Sequence, residues 1–242
     1  MSVIVGTSGY SYKEWKGTFY PSDLPATKML AFYAQHFGSV EINNTFYRMP
    51  VASMVEKWAS EVPDGFRFVL KAPQRITHIK RLTGVEDELR YFLETASLLG
   101  SKLGPLLFQL PPNLRKDVTK LREFLALIPH GWRVALEVRH DSWCDDEIYA
   151  LLREHDVPLC LSDTDEVADP DTLLVNTASW GYLRLRRTDY SDAQLADWVR
   201  RVESQGWSDA FVFFKHEDEG KGPLFAKRFL ERLERRALSP ST

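Results

Sequence analysis

The sequence predicts a single (β/α)8 barrel, the TIM-barrel class, extending over residues 1–242. Eight runs of strand length, apolar or alternating, recur along the chain, and segments of helix length separate most of them. A chain of 242 residues with 44% hydrophobic content suits one barrel domain, and the sequence contains no linker, low-complexity tract or internal repeat. An open doubly wound sheet is the alternative, but no GxGxxG motif follows the first strand.

The predicted strands are bounded by turn residues, and most carry polar side chains where they end. They lie at residues 3–6, 40–44, 66–71, 106–110, 133–138, 158–161, 182–186 and 211–215. The fifth strand has an apolar face formed by Val134, Leu136 and Val138, whereas its opposite face ends in Glu137 and Arg139. Because a helical pattern follows soon afterwards, these charges are predicted to lie where a strand enters a βα loop.

Helical spacing of apolar residues predicts the connecting segments. Helices are expected at residues 24–37, at 51–59, before Gly100, after an N-cap at Asp117, from about Asp145, after a capping box of Ser191 and Gln194, and at the end of the chain. Between residues 164 and 179 the pattern is broken by Asp169, Pro170 and Asp171. A short or missing sixth helix is therefore predicted.

The composition restricts the class of partner. The chain has 31 basic and 34 acidic residues and a formal net charge of -3, so contact with a polyanion has to come from a local patch. Cys144 and Cys160 lack CxxC spacing and are expected to be reduced, structural thiols. The sequence starts with no signal-peptide pattern and has no apolar run of roughly 20 residues, so we expect a cytoplasmic, soluble protein without a membrane partner.

If the barrel is correct, the carboxyl ends of all strands meet at one rim and bring distant polar side chains together. The residues predicted at this rim are Ser8, Glu41, Asn43, Lys71, Gln109, Glu137, Arg139, Asp163, Arg184, Arg186, Lys215 and His216. One interpretation is that the charges only pair with one another and plug the barrel. The other is that they bind a ligand, because buried charges of both signs need partners.

These residue types point to an anionic ligand. Lysine and arginine side chains match phosphate oxygens, which assigns ligand-binding roles to Lys71, Arg139, Arg184, Arg186 and Lys215. A general base or a divalent metal ligand can come from Glu41, Glu137 or Asp163. No HxH or HExxH spacing supports a metal site, so no cofactor is assigned, and His78, His140 and His216 are interpreted as loop residues that form hydrogen bonds.

Two loops extend the predicted site. The loop after the first strand contains Tyr10, Tyr12 and Trp15, which can stack on bases or sugar rings together with Trp143. The alternative is that Trp15 and its aromatic neighbours simply pack on the barrel. The loop after the third strand carries a basic run, on the same side as Lys71, that consists of Arg75, His78, Lys80 and Arg81.

Several blocks of the sequence resemble the YecE-like family, domain of unknown function 72. They are GTSGYSYKEWKGTFYP, VEINNTFYRMP, FRFVLKAPQRITH, LLFQLPP, ALEVRHDSW and FVFFKHE. The resemblance implies a TIM barrel with its site at the strand carboxyl ends, but it implies no established reaction. Nucleic-acid binding has been proposed for the family by analogy with barrel endonucleases.

The chain departs from the family pattern after its last two strands. Arg186 and Arg187 stand where the family usually has His-Gly, and Lys215 with His216 stands where it usually has Asn-Asn after a phenylalanine. The rim of this chain is therefore more basic than is typical of the family. This difference favours an anionic ligand.

The sequence analysis leads to three functional hypotheses. The first is a phosphate-bearing ligand, a nucleotide or nucleic acid, anchored by Arg139, Arg184 and Lys71, with phosphodiester hydrolysis through Glu41 or Glu137. The second is a glycosidase-like site that uses Glu41 and Glu137 as its carboxylate pair. The third is a binding module without catalysis. The sequence assigns no substrate and no oligomeric state.

Overall fold

The computed structural model describes residues 1–215 and 220–238 of the chain. Its strands are β1 (Ser2–Ser8), β2 (Ser39–Ile42), β3 (Arg67–Lys71), β4 (Leu103–Gln109), β5 (Val134–Glu137), β6 (Leu161–Asp163), β7 (Gly181–Leu185) and β8 (Asp209–Phe214). Its helices are α1 (Met29–Tyr33), α2 (Asn44–Tyr47), α3 (Ala52–Ser60), α4 (Glu86–Ser97), α5 (Val118–Ala126), α6 (Asp146–Glu154), α7 (Asp192–Ser204) and α8 (Lys221–Leu238).

All eight strands belong to one sheet. Their order is β5-β4-β3-β2-β1-β8-β7-β6. A parallel bridge between Leu136 of β5 and Leu159 links β5 to the segment that leads into β6. Within this bridge the Cys160 N–H donates to the Leu136 carbonyl at 2.8 Å. Since the strands at the two ends of the order are linked in this way, the predicted (β/α)8 barrel class is confirmed.

The chain divides into two compact units, which are described separately. The first unit contains Met1–Val40, Leu161–Leu174 and the described part of Ser179–Thr242, and the second contains Glu41–Cys160 and Val175–Ala178. Strands β1, β6, β7 and β8 lie in the first unit, whereas β3, β4 and β5 lie in the second. The prediction of one domain over the whole chain stays a prediction.

Each unit has an apolar core between its strands and its helices. In the first unit, Val212 of β8, Trp198 of α7 and Phe229 of α8 are at most 1% exposed. In the second unit, Phe108 of β4 and Phe124 of α5 pack edge to face with ring centroids 5.1 Å apart. Burial of these side chains fixes the strands, and the strands in turn fix the polar residues at their carboxyl ends.

Several local predictions are confirmed. Asp117 caps α5 by accepting a hydrogen bond from the Lys120 N–H at 3.0 Å. Ser191 and Gln194 form both hydrogen bonds of the capping box at the start of α7. Between β6 and β7 the chain forms only the short 3-10 turn Pro170–Leu173, so the predicted short or missing sixth helix is also confirmed.

Several predicted boundaries and one predicted loop differ from the structure. The sixth strand is Leu161–Asp163 rather than residues 158–161, because Leu159 forms only an isolated bridge with Leu136 and its N–H donates to the Thr177 hydroxyl at 2.8 Å, so that pairing with β7 begins at Leu161. The first helix covers only Met29–Tyr33 of the predicted residues 24–37, since a 3-10 turn at Ala26–Lys28 precedes it. The basic loop after β3 contains the wide helical turn Arg75–Ile79, in which the Lys80 N–H donates to the Arg75 carbonyl.

Candidate functional site

A network of hydrogen-bonded polar residues crosses the carboxyl ends of β3, β4 and β5 in the second unit. Lys71 Nζ donates to Gln109 Oε1 at 2.9 Å, and Gln109 Nε2 donates to Glu137 Oε2 at 2.7 Å. Arg139 donates to Glu137 Oε1 through Nε and Nη2, both at 2.8 Å. The strand register explains this order, because Gln109 lies directly opposite Glu137. Four residues predicted from separate parts of the sequence are therefore brought together.

Glu137 is the central residue of this network. Its side chain is fully buried, and both of its oxygens accept hydrogen bonds from Gln109 and Arg139. Glu137 therefore joins the end of β4 to Arg139 through its two oxygens. Its predicted role as a general base or nucleophile stays a prediction.

His78 lies beside this network. Burial lowers the pKa of His78, and the positive charges of Lys71, Arg139 and Arg81 lower it further. The His78 ring packs against Phe46 at a centroid distance of 4.8 Å, and Lys71 Nζ lies 4.0 Å from the centre of the same Phe46 ring. The negative charge of Glu137 acts in the opposite direction, and burial by itself disfavours a charge of either sign, so only the contribution of the three cations favours an anion here.

The loop that carries His78 is attached to α4 through Glu88. Glu88 accepts hydrogen bonds from Arg75 Nε and Lys80 Nζ, both at 2.7 Å. These hydrogen bonds lower the pKa of Glu88 from its ordinary value to about 2. Lys80 Nζ also donates to the Gly84 carbonyl at 2.6 Å. The basic run predicted after the third strand is thus partly neutralised, and its two paired cations position the loop.

We predict that the substitution Glu88→Gln removes part of the acid sensitivity of the protein. A carboxylate whose folded pKa is depressed stabilises the fold above its ordinary pKa of 4.5, and this contribution is lost as the pH falls toward about 2. The parent should therefore lose more thermal stability than Glu88→Gln over that range. Unfolding midpoints measured from pH 7 to pH 2 test this, with the exposed Glu123→Gln as control. Parallel curves for the parent and Glu88→Gln would contradict the assignment.

Glu41 and Asn43 lie at and just beyond the end of β2. Glu41 is fully buried, and Asn43 Nδ2 donates to Glu41 Oε1 at 3.2 Å. The next residues turn into α2, where the Thr45 hydroxyl donates to the Lys71 carbonyl at 2.7 Å. The predicted placement of this pair at a strand end agrees with the structure, and its role in binding or catalysis stays a prediction.

In the first unit, basic residues lie beside a buried hydroxyl at the carboxyl ends of β1, β7 and β8. Thr7 pairs with Phe214, and Phe214 pairs with Leu185. Extending this register by one residue places Lys215 between Ser8 and Arg186, with Arg184 two residues earlier on β7. Ser8 is 2% exposed, and its Oγ has no hydrogen-bond partner among the residues that the structure describes. His216 lies outside the described residues.

Asp163 is held by side chains that the sequence analysis did not assign to the site. Arg187 Nε donates to Oδ1 at 2.7 Å, whereas the Tyr190 hydroxyl and Trp198 Nε1 donate to Oδ2 at 2.9 and 3.0 Å. Asp163 itself is fully buried. These three hydrogen bonds make Asp163 a structural anchor for the segment after β7 and for α7, and its predicted catalytic role stays a prediction. The adjacent arginines Arg186 and Arg187 stood out in the sequence, but the sequence did not show that Arg187 pairs with Asp163.

The aromatic residues proposed to stack on a ligand are largely packed inside the protein. Trp15 is fully buried among Tyr12, Phe19 and Tyr20, with ring centroids 4.8 to 6.1 Å away. Trp143 is also fully buried, and its indole N–H donates to the Leu114 carbonyl at 2.7 Å. Trp15 therefore packs within the protein, as the alternative interpretation of this loop expected. Trp143 is buried in the same way.

Tyr10 and His140 have local structural roles. The carbonyl of Tyr10 accepts a hydrogen bond from the Tyr20 hydroxyl at 2.5 Å, and the Tyr10 ring lies 6.3 Å from that of Tyr33. His140 Nδ1 accepts from the Ser142 N–H at 3.1 Å and so caps the turn Asp141–Trp143, in agreement with its interpretation as a loop residue. Any contact of either residue with a ligand stays a prediction.

The described residues contain no group of three or more histidine, cysteine, aspartate or glutamate side chains arranged to hold a metal ion. None of the helices in residues 1–215 and 220–238 combines the length and the apolar character needed to cross a membrane.

A parallel barrel with ionisable side chains at its strand carboxyl ends is the arrangement of the TIM-barrel class. Within that class the chain belongs to the family described as protein of unknown function DUF72, whose sequence profile matches residues 4–242. The resemblance seen in the sequence blocks is thereby confirmed. The family description states no activity.

The relatives support this assignment. The UPF0759 protein YecE from Escherichia coli is 31% identical over 142 residues, which are 58% of this chain but only 50% of YecE, so the match spans about half the length of that relative. The UPF0759 protein YunF from Bacillus subtilis is 27% identical, covering 96% of this chain and 95% of YunF.

Solved structures show the same fold. A DUF72 family protein from Thermotoga maritima is 26% identical, with a TM-score of 0.85 over 97% of this chain and 100% of that one. A DUF72 family protein from Enterococcus faecalis is 20% identical, with a TM-score of 0.76 over 96% of this chain and 98% of that one. At that lower identity the likeness concerns the fold alone. Neither name states a ligand.

Proposed function

We propose that the protein binds a phosphate-bearing ligand at the carboxyl ends of its strands. The observation that carries the proposal is that the Lys71 ammonium and the His78 ring lie against the same Phe46 ring, at 4.0 and 4.8 Å from its centre. Burial lowers the pKa of His78, the positive charges of Lys71, Arg139 and Arg81 lower it further, and the negative charge of Glu137 opposes them. A phosphate bound there would gain charge-assisted hydrogen bonds from the same groups.

The geometry changes the set of predicted anchors. Arg139 directs two of its nitrogen atoms onto Glu137, so in this proposal it positions Glu137 instead of binding the ligand. The phosphate contacts come from Lys71, Arg81 and His78. In the first unit, Ser8 with Arg184, Arg186 and Lys215 provides donors of the same kind for an anionic group.

The proposal is for binding, and hydrolysis is not part of it. Two of the three predicted catalytic carboxylates, Glu137 and Asp163, have both oxygens occupied by hydrogen-bond donors. The glycosidase-like alternative requires Glu41 and Glu137 as an acid and a nucleophile or base. Of the two, Glu137 is paired with an arginine and Glu41 accepts from Asn43, and we propose binding in preference to it.

Titration of His78 by NMR tests the proposal on the parent protein. We expect the pKa of free His78 to lie below its ordinary value of 6.5 and to rise when phosphate binds, because a bound anion favours the imidazolium. By linkage, phosphate affinity should increase as the pH falls through the interval between the free and the bound pKa.

The ligands for this experiment are inorganic phosphate, adenosine monophosphate and a short single-stranded oligonucleotide, with chloride as the ionic-strength control. The exposed His130 serves as an internal reference. A His78 signal that titrates identically with and without millimolar concentrations of every phosphate ligand would refute the proposed function.

A further inference from the structure

We infer that the ligand carries a planar aromatic ring joined to its phosphate, and that this ring stacks on Tyr47. The inference rests on the proposed function, because it identifies the chemical class of the same ligand. It starts from surface exposure. Among the described residues, Tyr47 and Ile79 are the two most exposed large apolar side chains, at 75% and 65%.

Both exposed side chains adjoin the His78 site. Tyr47 follows Phe46, and the two rings meet edge to face with centroids 5.1 Å apart. The Phe46 ring in turn contacts the His78 ring at 4.8 Å and the Lys71 ammonium at 4.0 Å. Ile79 follows His78 directly. The distance between the Tyr47 and His78 ring centroids therefore cannot exceed the sum of the Tyr47–Phe46 and Phe46–His78 distances. A nucleoside monophosphate can span such a separation.

The exposure of Tyr47 has no structural explanation in the elements around it. The four-residue helix α2 is held by Thr45, whose hydroxyl donates to the carbonyls of Ile42 and Lys71, and by the buried Phe46. Tyr47, the last residue of α2, keeps most of its surface in water. A broad, exposed aromatic face next to a cationic group is the arrangement that binds a base and its phosphate together.

The chemistry of the surface selects one occupant. Lys71, Arg81 and His78 favour the anionic end of a ligand, whereas Tyr47 and Ile79 favour a flat, weakly polar end. A nucleotide has both ends joined by a sugar, but a sugar phosphate or inorganic phosphate has only the first. The structure therefore assigns to this site a ligand of the nucleoside monophosphate type.

The experiment compares adenosine monophosphate with ribose 5-phosphate, which has the same phosphate but no aromatic ring. Affinities of both are measured by calorimetry for the parent, Tyr47→Ala and Tyr47→Phe. Stacking of a base on an aromatic side chain typically contributes about tenfold or more in affinity. The parent should therefore bind adenosine monophosphate about tenfold more tightly than ribose 5-phosphate.

The variants separate the inference from the proposed function. Tyr47→Ala should lose the tenfold preference and keep the affinity for ribose 5-phosphate, whereas Tyr47→Phe should keep both. Equal affinities of the two ligands for the parent, or an equal loss of both in Tyr47→Ala, would overturn the role of Tyr47 while leaving phosphate binding in place. Failure of the parent to bind adenosine monophosphate, ribose 5-phosphate and inorganic phosphate alike would instead refute the proposed function, and this inference with it.

Discussion

Replacing Asp163 with alanine is expected to lower the free energy of unfolding by about 3–5 kcal/mol, the range for breaking a buried ion pair by removing one partner. Asp163 is fully buried and pairs with the Arg187 guanidinium, which is 16% exposed. Its loss would also leave the Tyr190 hydroxyl and the Trp198 N–H without their acceptor. Each buried donor left without a partner adds to the destabilisation. Chemical denaturation measures the change.

Asp171→Ala is the matched control for this measurement. Asp171 also pairs with an arginine, Arg201, but its side chain is 63% exposed, so its removal should cost no more than about 1 kcal/mol. Asp163→Asn should fall between the two, since its amide can still accept hydrogen bonds. If Asp163→Ala were as stable as the parent, the structural assignment of Asp163 would be wrong and its predicted catalytic role would have to be tested again.

Replacing Lys71 with methionine is expected to weaken the binding of phosphate ligands by roughly 10- to 100-fold, because a hydrogen bond to a charged group contributes about 1.5–3 kcal/mol. Methionine preserves the length of the side chain and its packing on Phe46, which lies 4.0 Å from the ammonium. The pKa of His78 should rise in this variant even without ligand, since one of the charges that lower it is gone. Calorimetry and NMR titration give the two readouts.

Lys102→Met provides the control for Lys71→Met. Lys102 is a lysine of the same unit that is only 15% exposed, and its ammonium donates to the carbonyls of Ala59 and Val62 at 2.8 and 2.9 Å. It precedes β4, whereas Gln109, the partner of Lys71, ends that strand. Its loss should reduce stability without changing phosphate affinity. Equal phosphate affinity in Lys71→Met and the parent would contradict the assignment of Lys71 as an anchor.

The departures from the family pattern acquire different meanings in the structure. Arg186 and Arg187 together suggested a more basic rim, but the charge of Arg187 is balanced by Asp163, to which it donates at 2.7 Å. Arg187 is therefore a structural cation, and the ligand-binding role predicted for Arg186 and Lys215 stays a prediction.

The sequence by itself predicted the fold class and the positions of the polar residues along the strands. Hydrophobic period, turn residues and capping patterns are local properties, so strand ends such as Lys71, Gln109 and Glu137 could be located before the structure was known. Parallel pairing then implied that these ends lie near one another. The boundaries failed where a distant side chain intervened, as Thr177 does at Leu159.

Only the tertiary structure decided which charge meets which. Asp163 and Glu137 are both acidic residues at strand ends, yet the first is bound by residues 24 to 35 positions away and the second by Gln109 and Arg139. Partner choice depends on strand register and side-chain direction, which no local pattern records. The same reason explains why Trp15 is buried while Tyr47 is exposed. Residue type sets only the tendency of a side chain to be buried. The packing of neighbouring elements determines which aromatic ring reaches the surface.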